Sequence, residues 1–228
     1  MLRILLARLQ KGNIIAAMNV RPYEPRDRPA VREICCDTAD GGRPVERFFA
    51  DREVFADLIT RYYTDLAPET TWVAEEAGQV MGYVTGCFDS RRFARAMAWR
   101  IVPATLLKAL GRGTLWHLQT RQFVRVNLRD WLRGRQPVDL RDYPGHVHIN
   151  LRVAARGLGV GERLMEEFLR QAKATGVPGI HANVSEANAG GRKFFEKCGF
   201  VPLGRTGRFR FPDAPEQPIF TMVYGKRL

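Results

Sequence analysis

The chain predicts an α/β (α+β) fold, and three observations carry the prediction. Late in the sequence, His146-Val147-His148-Ile149-Asn150-Leu151 reads as a strand. Arg156-Gly157-Leu158-Gly159-Val160-Gly161 follows as a glycine-rich turn, and Glu162 to Ala172 as a helix. Earlier, two β-rich runs, Thr71 to Glu75 and Val80 to Gly86, flank Ala77-Gly78, a hairpin signal.

Residues 1–17 open with Met1-Leu2-Arg3-Ile4-Leu5-Leu6-Ala7-Arg8-Leu9. The apolar stretch is short, Arg8 interrupts it and no cleavage site follows, which argues against a signal peptide. We expect an N-terminal extension here, either an appended helix or the product of an upstream start codon, and a domain over 18–228. Val20-Arg21-Pro22-Tyr23 reads as the first strand, Asp27 as a helix N-cap and Ala30 to Cys36 as the first helix. Asp37-Thr38-Ala39-Asp40-Gly41-Gly42 reads as a loop. Residues 46–64 show helical spacing, with Phe49, Val54, Leu58 and Ile59 on one apolar side. After the hairpin, residues 90–140 form an insertion of helical character, rich in Arg, Leu and Trp, whose last residues lead back towards the late strand.

At 228 residues and 45% hydrophobic content, the chain suits one soluble domain carrying an insertion. No run approaches the ~18 apolar residues of a membrane span. Cys35, Cys36, Cys87 and Cys198 match no zinc-binding spacing. We expect reduced thiols packed as small apolar groups, no metal and a cytoplasmic location. The net charge is +12. Most of it lies between Ser90 and Leu140, where eleven Lys and Arg residues face only Asp130 and Asp139. Such a segment is a solvated face or a surface for an anionic partner: a cofactor's phosphates, nucleic acid or a membrane.

The glycine turn is suited to an anion. N–H groups at a helix N-terminus lack intrahelical acceptors, the helix dipole favours negative charge, and glycine lets the backbone approach a pyrophosphate. A P-loop would need Lys-Ser/Thr after the last glycine, where Glu162-Arg163 stands. A Rossmann fingerprint would need GxGxxG spacing early in a βαβ unit. Alone, the hexapeptide also fits an ordinary turn.

Two blocks taken together carry a resemblance. Arg156, Gly159 and Gly161 fill the Arg/Gln-x-x-Gly-x-Gly/Ala loop of the GNAT acetyltransferases. Downstream, Asn188 and Lys197-Cys198-Gly199-Phe200 resemble that family's Asn and Lys-x-Gly-Phe positions, in the right order and at the usual separation. The resemblance extends over 18–228 and is strongest from 143 to 204. It implies a mixed, mostly antiparallel central sheet of six to seven strands flanked by helices, with a helical insertion between strands 3 and 4. Tyr143-Pro144-Gly145-His146-Val147-His148 further resembles the branch related to the acetyltransferase-like domain of some O-GlcNAcases.

The resemblance implies acyl transfer from acetyl-CoA, or another acyl-CoA, to a primary amine on a small molecule or protein. It implies cofactor contacts at Leu151, Arg152, Val153, Arg156, Gly157, Leu158, Gly159, Val160, Gly161, Asn188 and Phe195. The Leu151 backbone N–H would polarise the thioester carbonyl. His148 and His146 are the candidate bases, with Tyr143 beside them, since an imidazole titrates near ~6.5. Each histidine is equally consistent with a hydrogen-bonded structural role, and the parity of many GNAT bases falls instead on Gly145 and Val147. Asp37 and Asp40 are candidates for holding a cationic substrate amine. Phe195 stands where many relatives have a Tyr that protonates the thiolate, so a non-catalytic acyl-CoA-binding module is the alternative. A homodimer is expected by analogy with the family.

Overall fold

The computed structural model describes residues 18–133, 138–211 and 214–228; the expected extension over 1–17 lies outside them. Among the described residues, seven strands form one sheet: β1 (Asn19–Pro22), β2 (Thr71–Glu76), β3 (Gln79–Cys87), β4 (Gly145–Leu151), β5 (Gly179–Ser185), β6 (Val201–Phe211) and β7 (Ala214–Arg227). Their order is β1-β2-β3-β4-β5-β7-β6. Only the β4–β5 pair is parallel, so the sheet is mixed and mostly antiparallel, as expected. The β2–β3 hairpin turns on Ala77 and Gly78, both at positive φ (48° and 81°), the geometry that matches the strands' right-handed twist.

The helices are α1 (Arg28–Thr38), α2 (Arg52–Arg61), α3 (Ser90–Ala96), α4 (Val102–Gly111), α5 (Leu118–Arg133), α6 (Val160–Ala174) and α7 (Ala189–Lys197). Helices α3 to α5 make up the expected insertion between β3 and β4. Among the described residues no helix is long and apolar enough to cross a membrane.

Each sheet face has its own core. Leu164, Met165, Phe168 and Ala172 of α6 pack on Val147, Ile180 and Ala182. On the other face, Val31, Ile34 and Cys35 of α1 pack on Val73 and Tyr83. The insertion is anchored on this second face, where Phe123 of α5 stacks on Phe48 with ring centroids 5.3 Å apart. All four cysteines are free thiols, three of them buried.

Two local expectations are corrected. Asp27 does not cap α1 with its side chain; its carboxylate accepts from the Glu24 N–H and from Arg21 instead. The span 46–64 is not one helix. Asp51 accepts from the N–H groups of Glu53 and Val54 and so starts α2 afresh at Arg52. The buried face of α2 carries Val54, Phe55, Ala56, Asp57 and Thr60, while Ile59 points outward. Asp57 is buried because Arg32 and Lys108 neutralise it.

Candidate active site

Strands β4 and β5 pair only at Gly145↔Ile180 and His146↔His181 and then part company. The Arg152 N–H bonds the Met81 carbonyl at 2.8 Å, continuing the β3–β4 ladder. Alternation along an antiparallel ladder then turns the N–H groups of Ile149 and Leu151 away from β3, into the gap left by β5. Two backbone donors therefore line a V-shaped opening in the middle of the sheet.

The glycine turn closes one end of this opening. Gly157 and Gly159 adopt φ of +70° and +80°, and Gly159 is the N-cap of α6. Among the described residues, the N–H groups of Gly157 to Gly161 have no backbone acceptor outside the helix. A Cβ on Gly161 would lie 3.1 Å from the Phe194 ring and 3.2 Å from Leu151, so this glycine lets α6 press against the end of β4. The Arg156 Nε donates to the Leu151 carbonyl at 3.2 Å. Its guanidinium lies against Gly42 (φ +99°), where a Cβ would be only 2.8 Å from Nη1. The loop after α1 thus meets the glycine turn at the mouth of the gap, and the whole arrangement suits a phosphate-bearing chain threaded between β4 and β5.

The opposite sheet face carries a histidine cluster. His146 is buried, with Tyr63 Oη 2.6 Å from Nε2 and both Ser90 Oγ and Cys87 Sγ 3.1 Å from Nδ1. His181 Nδ1 donates to the Tyr143 carbonyl at 3.0 Å. His148 is half-buried and makes no side-chain hydrogen bond among the described residues; its ring only abuts those of Tyr63 and His146. Burial, followed by neighbouring His181, pulls its pKa down to about 4. Burial likewise lowers His146, which also feels His148 and His181, and it lowers His181. The cluster is therefore neutral at neutral pH, and His148 alone keeps both ring nitrogens unpartnered. Asn150, on the same face, donates to Tyr83 Oη at 2.8 Å, and Thr38 Oγ1 lies 3.0 Å from its Oδ1.

Other expected site residues lie elsewhere or are already engaged. Tyr143 covers Gly179 and Gly225 at the closed end of the β4–β5 pair, roughly 20 Å or more from Leu151 at about 3.3 Å per strand residue. It stands too far from that donor to serve one reacting centre with it. Asp40 pairs with Arg43 and Arg47, and Asp37 with Arg52, so arginines take up the charge expected to receive an amine. Arg152 turns to the Val80 carbonyl and Glu33. Val153 is exposed in the following turn. Asn188 caps α7 by accepting from the Gly191 N–H at 2.8 Å. Phe195 is buried between Phe200 and Tyr224 in the core beneath α7, not on the gap's surface. Sequence reasoning missed Ile149, although it shares the parity of Leu151, and Tyr63, which only the fold brings to His146.

Comparison with known proteins bears on the fold and the family. Residues 123–200 match the acetyltransferase (GNAT) family model. The crystal structure of SsHAT superposes with a TM-score of 0.74 at 30% identity, covering 92% of this chain and 98% of that one. The chain belongs to the GNAT family. More distant GNAT folds include an N-acetyltransferase from Staphylococcus aureus Mu50 (16% identity, TM-score 0.53, 92% and 98% covered). Another is the yncA structure from Salmonella typhimurium with its cofactor acetyl-CoA (16%, 0.54, 93% and 94%). Protein O-GlcNAcase of Rattus norvegicus is 20% identical over 190 residues, 83% of this GNAT chain. The chain spans only 21% of that curated relative's length.

Proposed function

We propose that residues 18–228 form an N-acyltransferase domain that moves an acetyl group from acetyl-CoA to a primary amine of a small molecule or protein, both substrates being bound together. The observation that carries this reading is the parting of β4 from β5 directly above the unpaired N–H groups of Gly157 to Gly161. Acyl-CoA supplies the activated acyl group; the rest is the work of this chain. The glycine-turn amides and the α6 dipole hold the pyrophosphate, with Arg156 beside them. The N–H groups of Ile149 and Leu151 face the gap and donate to the thioester carbonyl, where one such donor is typically worth ~2.7–4 kcal/mol.

An amine with a pKa near ~10.4 arrives mostly protonated. His148 is neutral and unpartnered, and it accepts a proton from the amine, directly or through water. Its low basicity points to a relay into solvent rather than to a resting imidazolium. No residue supplies an acid at the usual place, because Phe195 carries no proton and lies in the core. A thiol of pKa near ~8.5 leaves tolerably without one.

A thiol-release assay with acetyl-CoA against a panel of amines tests the proposal. Amine-dependent release supports a transferase. Tight acetyl-CoA binding without release for any amine favours a binding module, the reading that Phe195 motivates.

A further inference from the structure

The insertion presents an apolar face that none of the described residues covers. Helix α4 buries Thr105 and Ala109 against the body of the domain, and Ile101 just before it is buried too. Its other side carries Val102, Leu106, Leu107 and Leu110 outward at helical spacing, with Leu107 71% exposed. A tryptophan stands at each end of this stripe. Trp99 is 82% exposed one turn before α4, and Trp116 is 85% exposed beyond Gly113. Leu118 and Leu128 of α5 are exposed as well.

The same insertion carries exposed cations. Arg91, Arg92, Arg95 and Arg100 are exposed and form no ion pair among the described residues. Arg121 and Arg125 do the same on α5. Lys108 and Arg112, by contrast, are bound to Asp57 and Asp51. From Ser90 to Arg129 the sequence contains no Asp or Glu.

This chemistry selects among occupants. A second copy would set an acid-free, arginine-rich surface against its like. Nucleic acid would satisfy the arginines but offers no apolar medium for Leu106, Leu107 and Leu110. An anionic bilayer surface takes both: leucines enter the acyl boundary, tryptophans sit at headgroup level and arginines meet lipid phosphates and carboxylates. We infer that the α3–α5 insertion docks the domain on an anionic lipid surface. The mouth of the β4–β5 gap is built from other elements, so the inference does not depend on the proposed activity.

The test is flotation of the full chain with phosphatidylcholine vesicles, with and without phosphatidylserine, read together with tryptophan emission. Binding only to phosphatidylserine vesicles, weakening as salt rises and with a blue-shifted emission, is expected. Leu107→Glu should abolish it. Arg91→Gln with Arg95→Gln should weaken it by about fivefold per arginine. Circular dichroism should leave the fold of these surface variants unchanged. Equal binding to neutral vesicles, or binding to neither, overturns the inference. So does a tighter, salt-sensitive hold on duplex DNA, or self-association that Leu107→Glu disperses.

Discussion

Gly159→Glu isolates the cofactor loop from the rest of the fold. Gly159 sits at φ +80° as the N-cap of α6, and a Cβ there meets no atom within 4 Å. The variant therefore has room, and its intrinsic penalty is the left-handed backbone, roughly 1–2 kcal/mol of stability. The new carboxylate stands where the pyrophosphate is proposed to bind. Two unit charges 4 Å apart repel by about 4 kcal/mol at an effective dielectric of about 20. That is about a thousandfold in affinity. Gly159→Ala carries the same strain without the charge, so it should keep most of the affinity. Calorimetric titration of acetyl-CoA into both variants, with folding checked by circular dichroism, separates the two effects. If the folded Glu variant binds as tightly as the Ala variant, the loop does not hold the phosphates.

His148→Ala should lower turnover by about 10²–10⁴ while leaving acetyl-CoA affinity unchanged, as kcat and a binding isotherm would report. The histidine cluster also makes the fold acid-sensitive. His146, His148 and His181 are held neutral with lowered pKa values, while the unfolded chain protonates them below about 6.5. Stability should be full above that pH and decline as pH falls towards 4, where His148 titrates. Thermal melts across this window should show the decline, and His148→Ala should flatten it. Asp57→Ala leaves buried Arg32 with Glu53 as its remaining carboxylate partner and should cost roughly 1.5–3 kcal/mol in urea unfolding.

Much of this was legible in the sequence because it is local chemistry. The glycine turn, the Ala77-Gly78 hairpin and the β4 strand follow from residue types within a few positions of one another. The helix break at Asp51 was missed, although an Asp directly before a helix is a local N-cap signal; the apolar spacing across it masked the cap. What escaped depends on long-range placement. Tyr63, Cys87 and Ser90 come to His146 through the fold, and no spacing announces them. The arginines that engage Asp37 and Asp40 lie on neighbouring turns and on α2. The family resemblance named Leu151 as a donor, but only the register with β3 and the early end of the β5 pairing make Ile149 its companion.

If the proposed function holds, acyl-CoA occupies the opening between β4 and β5. Amide-resolved NMR during an acetyl-CoA titration tests it most directly. The N–H signals of Ile149, Leu151 and Gly157 to Gly161 should shift together and saturate with one ligand. Shifts confined to other surfaces, or none at millimolar ligand, would contradict it.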